Sequence, residues 1–128
     1  YRAHLAGVPG IRVQELAAGD VSSYKDFTIA IDAETFGVNR DVVVQALRAE
    51  GIDTRKYFDP PVHQQRSHRT GLSLPVTERV AGEVVSLPIY PSLGAAAAST
   101  VSAVLAEIHD RASSLTEALR SGAAAGSA

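Results

Sequence analysis

Two neighbouring stretches decide the fold: Phe27-Thr28-Ile29-Ala30-Ile31-Asp32, then Asn39-Arg40-Asp41-Val42-Val43-Val44-Gln45-Ala46-Leu47-Arg48-Ala49-Glu50-Gly51. In the first, Phe27, Ile29 and Ile31 share one face and Thr28 and Ala30 the other, the period of a half-buried strand. In the second, Asn39 is a good N-cap, and Asp41 sits in the first turn, where the helix dipole favours an anion. Val38 and Val43 take the positions of a hydrophobic staple. Val43, Ala46 and Leu47 make an apolar stripe, and Gly51 closes the helix.

Other elements follow outward from this pair. Ile11 to Leu16 alternates closely enough for a short strand, and Ala17 to Ser23 supplies turn residues. Ile52 to Phe58 predicts another short strand, ended by Pro60-Pro61. Residues 60–73 are polar and aperiodic, a long loop. Pro75 starts a helix with Val76, Val80 and Val84 on one stripe. Val84 to Tyr90 turns extended, limited by Pro88 and Pro91. Ala95 to His109 reads as a third helix with Val101, Val104, Leu105 and Ile108 as its apolar face. Residues 1–110 then form one α+β domain, with helices on one face of a small, mostly antiparallel sheet. Residues 111–128, rich in Ala, Ser and Gly, read as a flexible tail.

The chain has 128 residues, 45% hydrophobic and 20% charged. That suits one folded domain and is too short for a Rossmann dehydrogenase or a TIM barrel, each roughly 200 residues or more. Net charge is −2, which argues against general nucleic-acid binding. No cysteine is present, which excludes disulfides, a thiol nucleophile and Cys-ligated zinc. No apolar run approaches the ~20 residues that cross a bilayer, and no signal-peptide pattern opens the chain. A cytoplasmic location is the expectation. Methionine is absent throughout, and Tyr1 to Gly7 reads like the end of a helix, as expected of a piece of something longer.

Charge is unevenly spread. Residues 1–50 carry −2, residues 51–70 carry +2, and residues 71–128 carry −2. The basic stretch, with Arg55, Lys56, Arg66 and Arg69 beside His63 and His68, coincides with the long loop. Arg, Tyr and His together suit phosphate or nucleotide recognition; a merely solvated loop is the alternative. His63 and His68 lack the further ligands that zinc needs, so no metal site is expected. Gly-x-Ser-x-Gly elbows and Gly-rich phosphate loops are also missing. The two lysines are Lys25, at a strand end, and Lys56.

Several blocks carry a family resemblance. Ser22 to Ile29, Arg40-Asp41 through Leu47, and Ala49 to Arg55 occur in order. Arg55-Lys56-Tyr57-Phe58-Asp59-Pro60-Pro61-Val62-His63 follows an Arg-x-Tyr-Phe-x-Pro-Pro-x-His pattern. Leu74 to Val80 and Val85 to Tyr90 complete the set. Together they resemble the C-terminal domain of the DegT/DnrJ/StrS sugar aminotransferases over about residues 1–110.

That resemblance implies the small domain of a fold-type-I pyridoxal-phosphate enzyme, usually a homodimer with active sites at the subunit interface. Such enzymes move an amino group, commonly from glutamate, onto a nucleotide-linked keto-deoxysugar. The cofactor and its Schiff-base lysine belong to a large domain absent from this sequence. Neither Lys25 nor Lys56 matches that lysine, so the chain contributes no catalytic or cofactor-binding residue and is expected to be inactive alone. Arg55, Tyr57 and His63 become the candidate substrate contacts. Their structural alternatives are an Arg55–Asp53 bridge, a core-packed Tyr57 and a His63 that caps the loop. Related dehydratases, and a non-catalytic binding or dimerisation module, remain open.

Overall fold

A computed structural model describes residues 1–68 and 71–125, with side chains described as far as Ala118. The sheet has three antiparallel strands in the order β1 (Ile11–Val13), β2 (Phe27–Ile31), β3 (Val84–Leu87). Ile31 faces Ile11, while Phe27 and Ile29 face Leu87 and Val85. The alternation within β2 therefore lands its three large side chains on one face, and all three are buried.

Helices cover that face. Helix α1 (Arg2–Leu5) contributes Leu5, and α2 (Ala33–Phe36) contributes Phe36, which is fully buried. Helix α3 (Arg40–Ala49) adds Val43 and Leu47, and α5 (Ala95–Asp110) adds Val101, Leu105 and Ile108. The signals read from sequence act as expected at α3: the Asn39 side chain accepts from the Val42 N–H at 3.0 Å, and Val38 and Val43 are both buried. Asp32 caps α2 in the same way, accepting from Glu34 and Thr35.

Three regions differ from expectation. Residues 52–58 do not form a strand; only Arg55 pairs, exchanging both backbone hydrogen bonds with Ser86 at 3.1 and 2.8 Å. The chain is still leaving α3 at Ile52, whose N–H goes to Leu47, and it turns at Tyr57-Phe58, which leaves no room for a ladder. Helix α4 (Pro75–Glu83) exists, but Val76 and Val80 are exposed and its one buried side chain is Ala81. Finally, Ala112–Ala125 is helix α6, where composition predicted an unstructured tail. Ala112 is buried and Leu115 packs on the core, which explains why the helix continues. Residues 126–128 of the expected tail, like Arg69 of the basic loop, lie outside the described residues. No helix among the described residues is long and apolar enough to cross a membrane.

Candidate functional site

The loop that carries the candidate residues begins at the sheet edge. Ser86 spends its backbone N–H and C=O on Arg55, so its pairing with Thr28 is the close, non-hydrogen-bonded kind. Their hydroxyls meet there at 2.7 Å. Beyond Arg55 the chain turns through Tyr57-Phe58, with cis bonds at Tyr57–Phe58 and Asp59–Pro60. Pro61 is buried, and a 3-10 turn, Val62–Gln64, presents His63.

Ion pairs hold this loop down. Arg40, at 2% exposure, reaches Asp59 at 2.6 Å, and Lys56 reaches Asp59 at 3.4 Å and Asp41 at 3.1 Å. Burial opposes ionisation at Asp41, but Lys56 and Arg40 outweigh it and hold the carboxyl below the usual carboxylate range. At the far end, His63 Nε2 lies 3.0 Å from Glu78 Oε1, which also accepts from the Leu74 N–H at 2.8 Å. The Leu74 amide first, then His63, keeps the Glu78 carboxyl below its ordinary range.

Two open grooves flank the loop. One, of about 670 Å³, runs between the loop and α4 and is lined by Tyr57, Phe58, Val62, His63, Leu72 and the exposed Val76 and Val80. It gathers seven of the ten large apolar side chains exposed among the described residues. The other, of about 510 Å³, lies by the Arg55 edge and includes Arg55, Tyr57, Ser86 and Tyr90.

Tyr57 is 42% exposed, lines both grooves and is not a core residue. The Lys25 ammonium sits 5.5 Å from its ring centroid, a weak cation–π contact at the surface. Arg55 is exposed, and its guanidinium donates to the Thr54 carbonyl at 3.3 Å. His63 borders the apolar groove with one ring nitrogen engaged by Glu78. The loop thus brings Tyr57 together with Arg55 on one side and with His63 on the other.

Sequence reading missed Arg40, Asp59 and Glu78. One signal was present: a cation at the first position of α3 opposes the helix dipole, so helix stability alone does not explain Arg40.

The lysines do not fit imine formation with pyridoxal phosphate, which requires a free amine in a shaped pocket. Lys25 pairs with Asp26 at 2.9 Å and is almost fully exposed, and that hydrogen bond raises its pKa above the usual lysine value. Lys56 is tied into the Asp41–Asp59 cluster. No cluster of three potential metal ligands occurs among the described residues.

These features define an α+β domain that presents an aromatic loop between two open grooves. The model of the DegT/DnrJ/EryC1/StrS aminotransferase family matches residues 1–106, and the chain belongs to that family. It is 38% identical over 95 residues to UDP-N-acetyl-3-dehydro-alpha-D-glucosamine 3-aminotransferase of Acidithiobacillus ferrooxidans, covering 73% of this chain and 24% of that protein. It is 36% identical over 98 residues to dTDP-4-amino-4,6-dideoxy-D-glucose transaminase of Escherichia coli, with coverage of 73% and 26%. Among solved structures, DesI with its TDP-sugar product superposes with a TM-score of 0.85 at 35% identity, over 94% of this chain and 31% of that one. DesV of S. venezuelae, solved with a ketimine intermediate, gives 0.76 at 32% identity, over 87% and 29%. The chain spans about a quarter of the length of the curated relatives it matches.

Proposed function

We propose that this chain is the C-terminal small domain of a nucleotide-sugar aminotransferase, which transfers an amino group from glutamate to a keto-deoxysugar nucleotide. Tyr57, Arg55 and His63 border the substrate. The Tyr57 hydroxyl hydrogen-bonds a sugar or phosphate oxygen, the Arg55 guanidinium pairs with the diphosphate, and His63 closes the loop side of the site. The observation that carries this reading is the position of Tyr57, exposed between both grooves with Arg55 on one side and His63 on the other.

Pyridoxal phosphate supplies the electron sink for amino transfer when bound, and its residues belong to the large domain. That domain, in a homodimer, covers the apolar groove beside α4, since an exposed apolar patch of this kind marks an interaction face.

The test uses the full-length enzyme and separates its half-reactions. Tyr57→Phe and Arg55→Ala should weaken amino transfer to the keto-sugar nucleotide roughly tenfold to a hundredfold, the cost of a charge-assisted hydrogen bond at about 1.5–3 kcal/mol. The half-reaction with glutamate should be unchanged, since it does not involve the nucleotide. Equal losses in both halves with a lowered melting temperature would reject the substrate role.

A further inference from the structure

Arg40 makes four hydrogen bonds beside the loop through its guanidinium. It opens α3, where a cation is disfavoured by the helix dipole, and it is buried. Its Nε donates to Asp41 at 2.8 Å, and one terminal nitrogen donates to the carbonyls of Ala81 at 3.0 Å and Val84 at 2.7 Å. The other terminal nitrogen donates to Asp59 at 2.6 Å. A single planar guanidinium therefore joins the start of α3, the junction of α4 with β3, and the loop that carries Tyr57. Lysine, with its donors on one atom, cannot span the same set.

The loop is gripped on both sides of its turn. Asp59, two residues after Tyr57, is held by Arg40, and Lys56, one residue before it, is held by Asp41 and Asp59. The Lys56 pairs are partly exposed and weak. Arg40–Asp59 is the contact with a buried partner, so it sets the position of the turn.

We propose that Arg40 is a positioning residue for the keto-sugar nucleotide step, holding the Tyr57 turn in place through Asp59. This rests on the reading of Tyr57 as a substrate contact. Small displacements of such a contact are costly: about 1 Å can lower a rate roughly a hundredfold.

The experiment uses the full-length enzyme with Asp59→Asn, Asp59→Glu, Arg40→Lys and Tyr57→Phe. Asp59→Asn should raise KM for the keto-sugar nucleotide roughly tenfold or more, with the glutamate half-reaction within about twofold of the parent. Asp59→Glu, which restores the charge, should recover most of the loss. Arg40→Lys should follow Asp59→Asn. A second readout needs no activity: trypsin should cut after Lys56 faster in Asp59→Asn, because the turn is released. If Tyr57→Phe is impaired while Asp59→Asn has normal kinetics, the positioning role is overturned. If Tyr57→Phe is itself silent, the substrate reading has failed and the positioning role falls with it, while the trypsin rate still reports whether Arg40 holds the loop. If Asp59→Asn lowers both half-reactions and the melting temperature together, and Asp59→Glu does not rescue them, the contact is structural support and the proposal is rejected.

Discussion

His63 and Glu78, fifteen positions apart in the chain, meet at 3.0 Å, and this contact fastens the candidate loop to the first turns of α4. Because Glu78 also accepts from Leu74, one carboxylate serves the loop and the helix start together. Its folded pKa lies below the unfolded one. The stability it contributes is therefore fully present above the ordinary glutamate range, near 4.3, and is lost as pH falls through that range and below it. The melting temperature should fall on acidification below about pH 4.5. Glu78→Gln should lower the melting temperature at neutral pH and flatten the acid limb, so that variant and parent converge at low pH; an unchanged acid limb would show that the contact does not form in solution.

Gly10 and Gly19 make a matched pair. Both have positive φ, 75° and 90°. A Cβ on Gly10 would lie 2.4 Å from the Phe36 backbone nitrogen, whereas a Cβ on Gly19 meets nothing within 4 Å. Gly19→Ala should cost only the left-handed backbone penalty, about 1 kcal/mol. Gly10→Ala should cost distinctly more, on the order of 3 kcal/mol, because the fully buried Phe36 cannot yield. Equal shifts in thermal melts of the two variants would contradict this.

Removing residues 112–128 should destabilise the chain, contrary to what their composition suggests. Truncation uncovers the core beneath Ala112 and Leu115. A loss of about 1–2 kcal/mol is expected from the apolar area exposed, or roughly 5 °C in melting temperature. An unchanged melting curve would mean that α6 does not pack as described.

Incubated with pyridoxal phosphate and then borohydride, the 128-residue chain should show no stoichiometric adduct and no transamination. Both lysine side chains are already engaged in ion pairs: Lys25 with Asp26, Lys56 with Asp41 and Asp59. Mass analysis of tryptic peptides checks this. A full adduct at either lysine with measurable turnover would overturn the assignment of the chemistry to another domain.

What could be read from sequence was what local pattern encodes. β2 and α3 were legible because alternation, an N-cap and a staple all lie within a few residues of one another. The candidate residues were legible because the Arg-x-Tyr-Phe-x-Pro-Pro-x-His block is contiguous. The contacts that shape the loop were not, because they join distant positions: Arg40 with Asp59, and His63 with Glu78. Periodicity also marked Val76 and Val80 as a stripe, correctly, but a stripe does not say whether its partner is the domain's own core. Helix α6 was missed because small side chains give little amphipathic signal, and Ala112 is buried by its neighbours rather than by its own hydrophobicity.

The groove beside α4 also governs how the separated chain behaves at the bench. Its apolar side chains are exposed among the described residues, so concentrated samples should self-associate by that face and resist crystallisation or NMR until it is blunted. Val76 and Val80 are the places to intervene, because both are exposed and neither belongs to the core. Replacing them with Thr or Lys should yield a monodisperse, soluble module with an unchanged fold, suitable for resonance assignment and for following the Tyr57 turn directly.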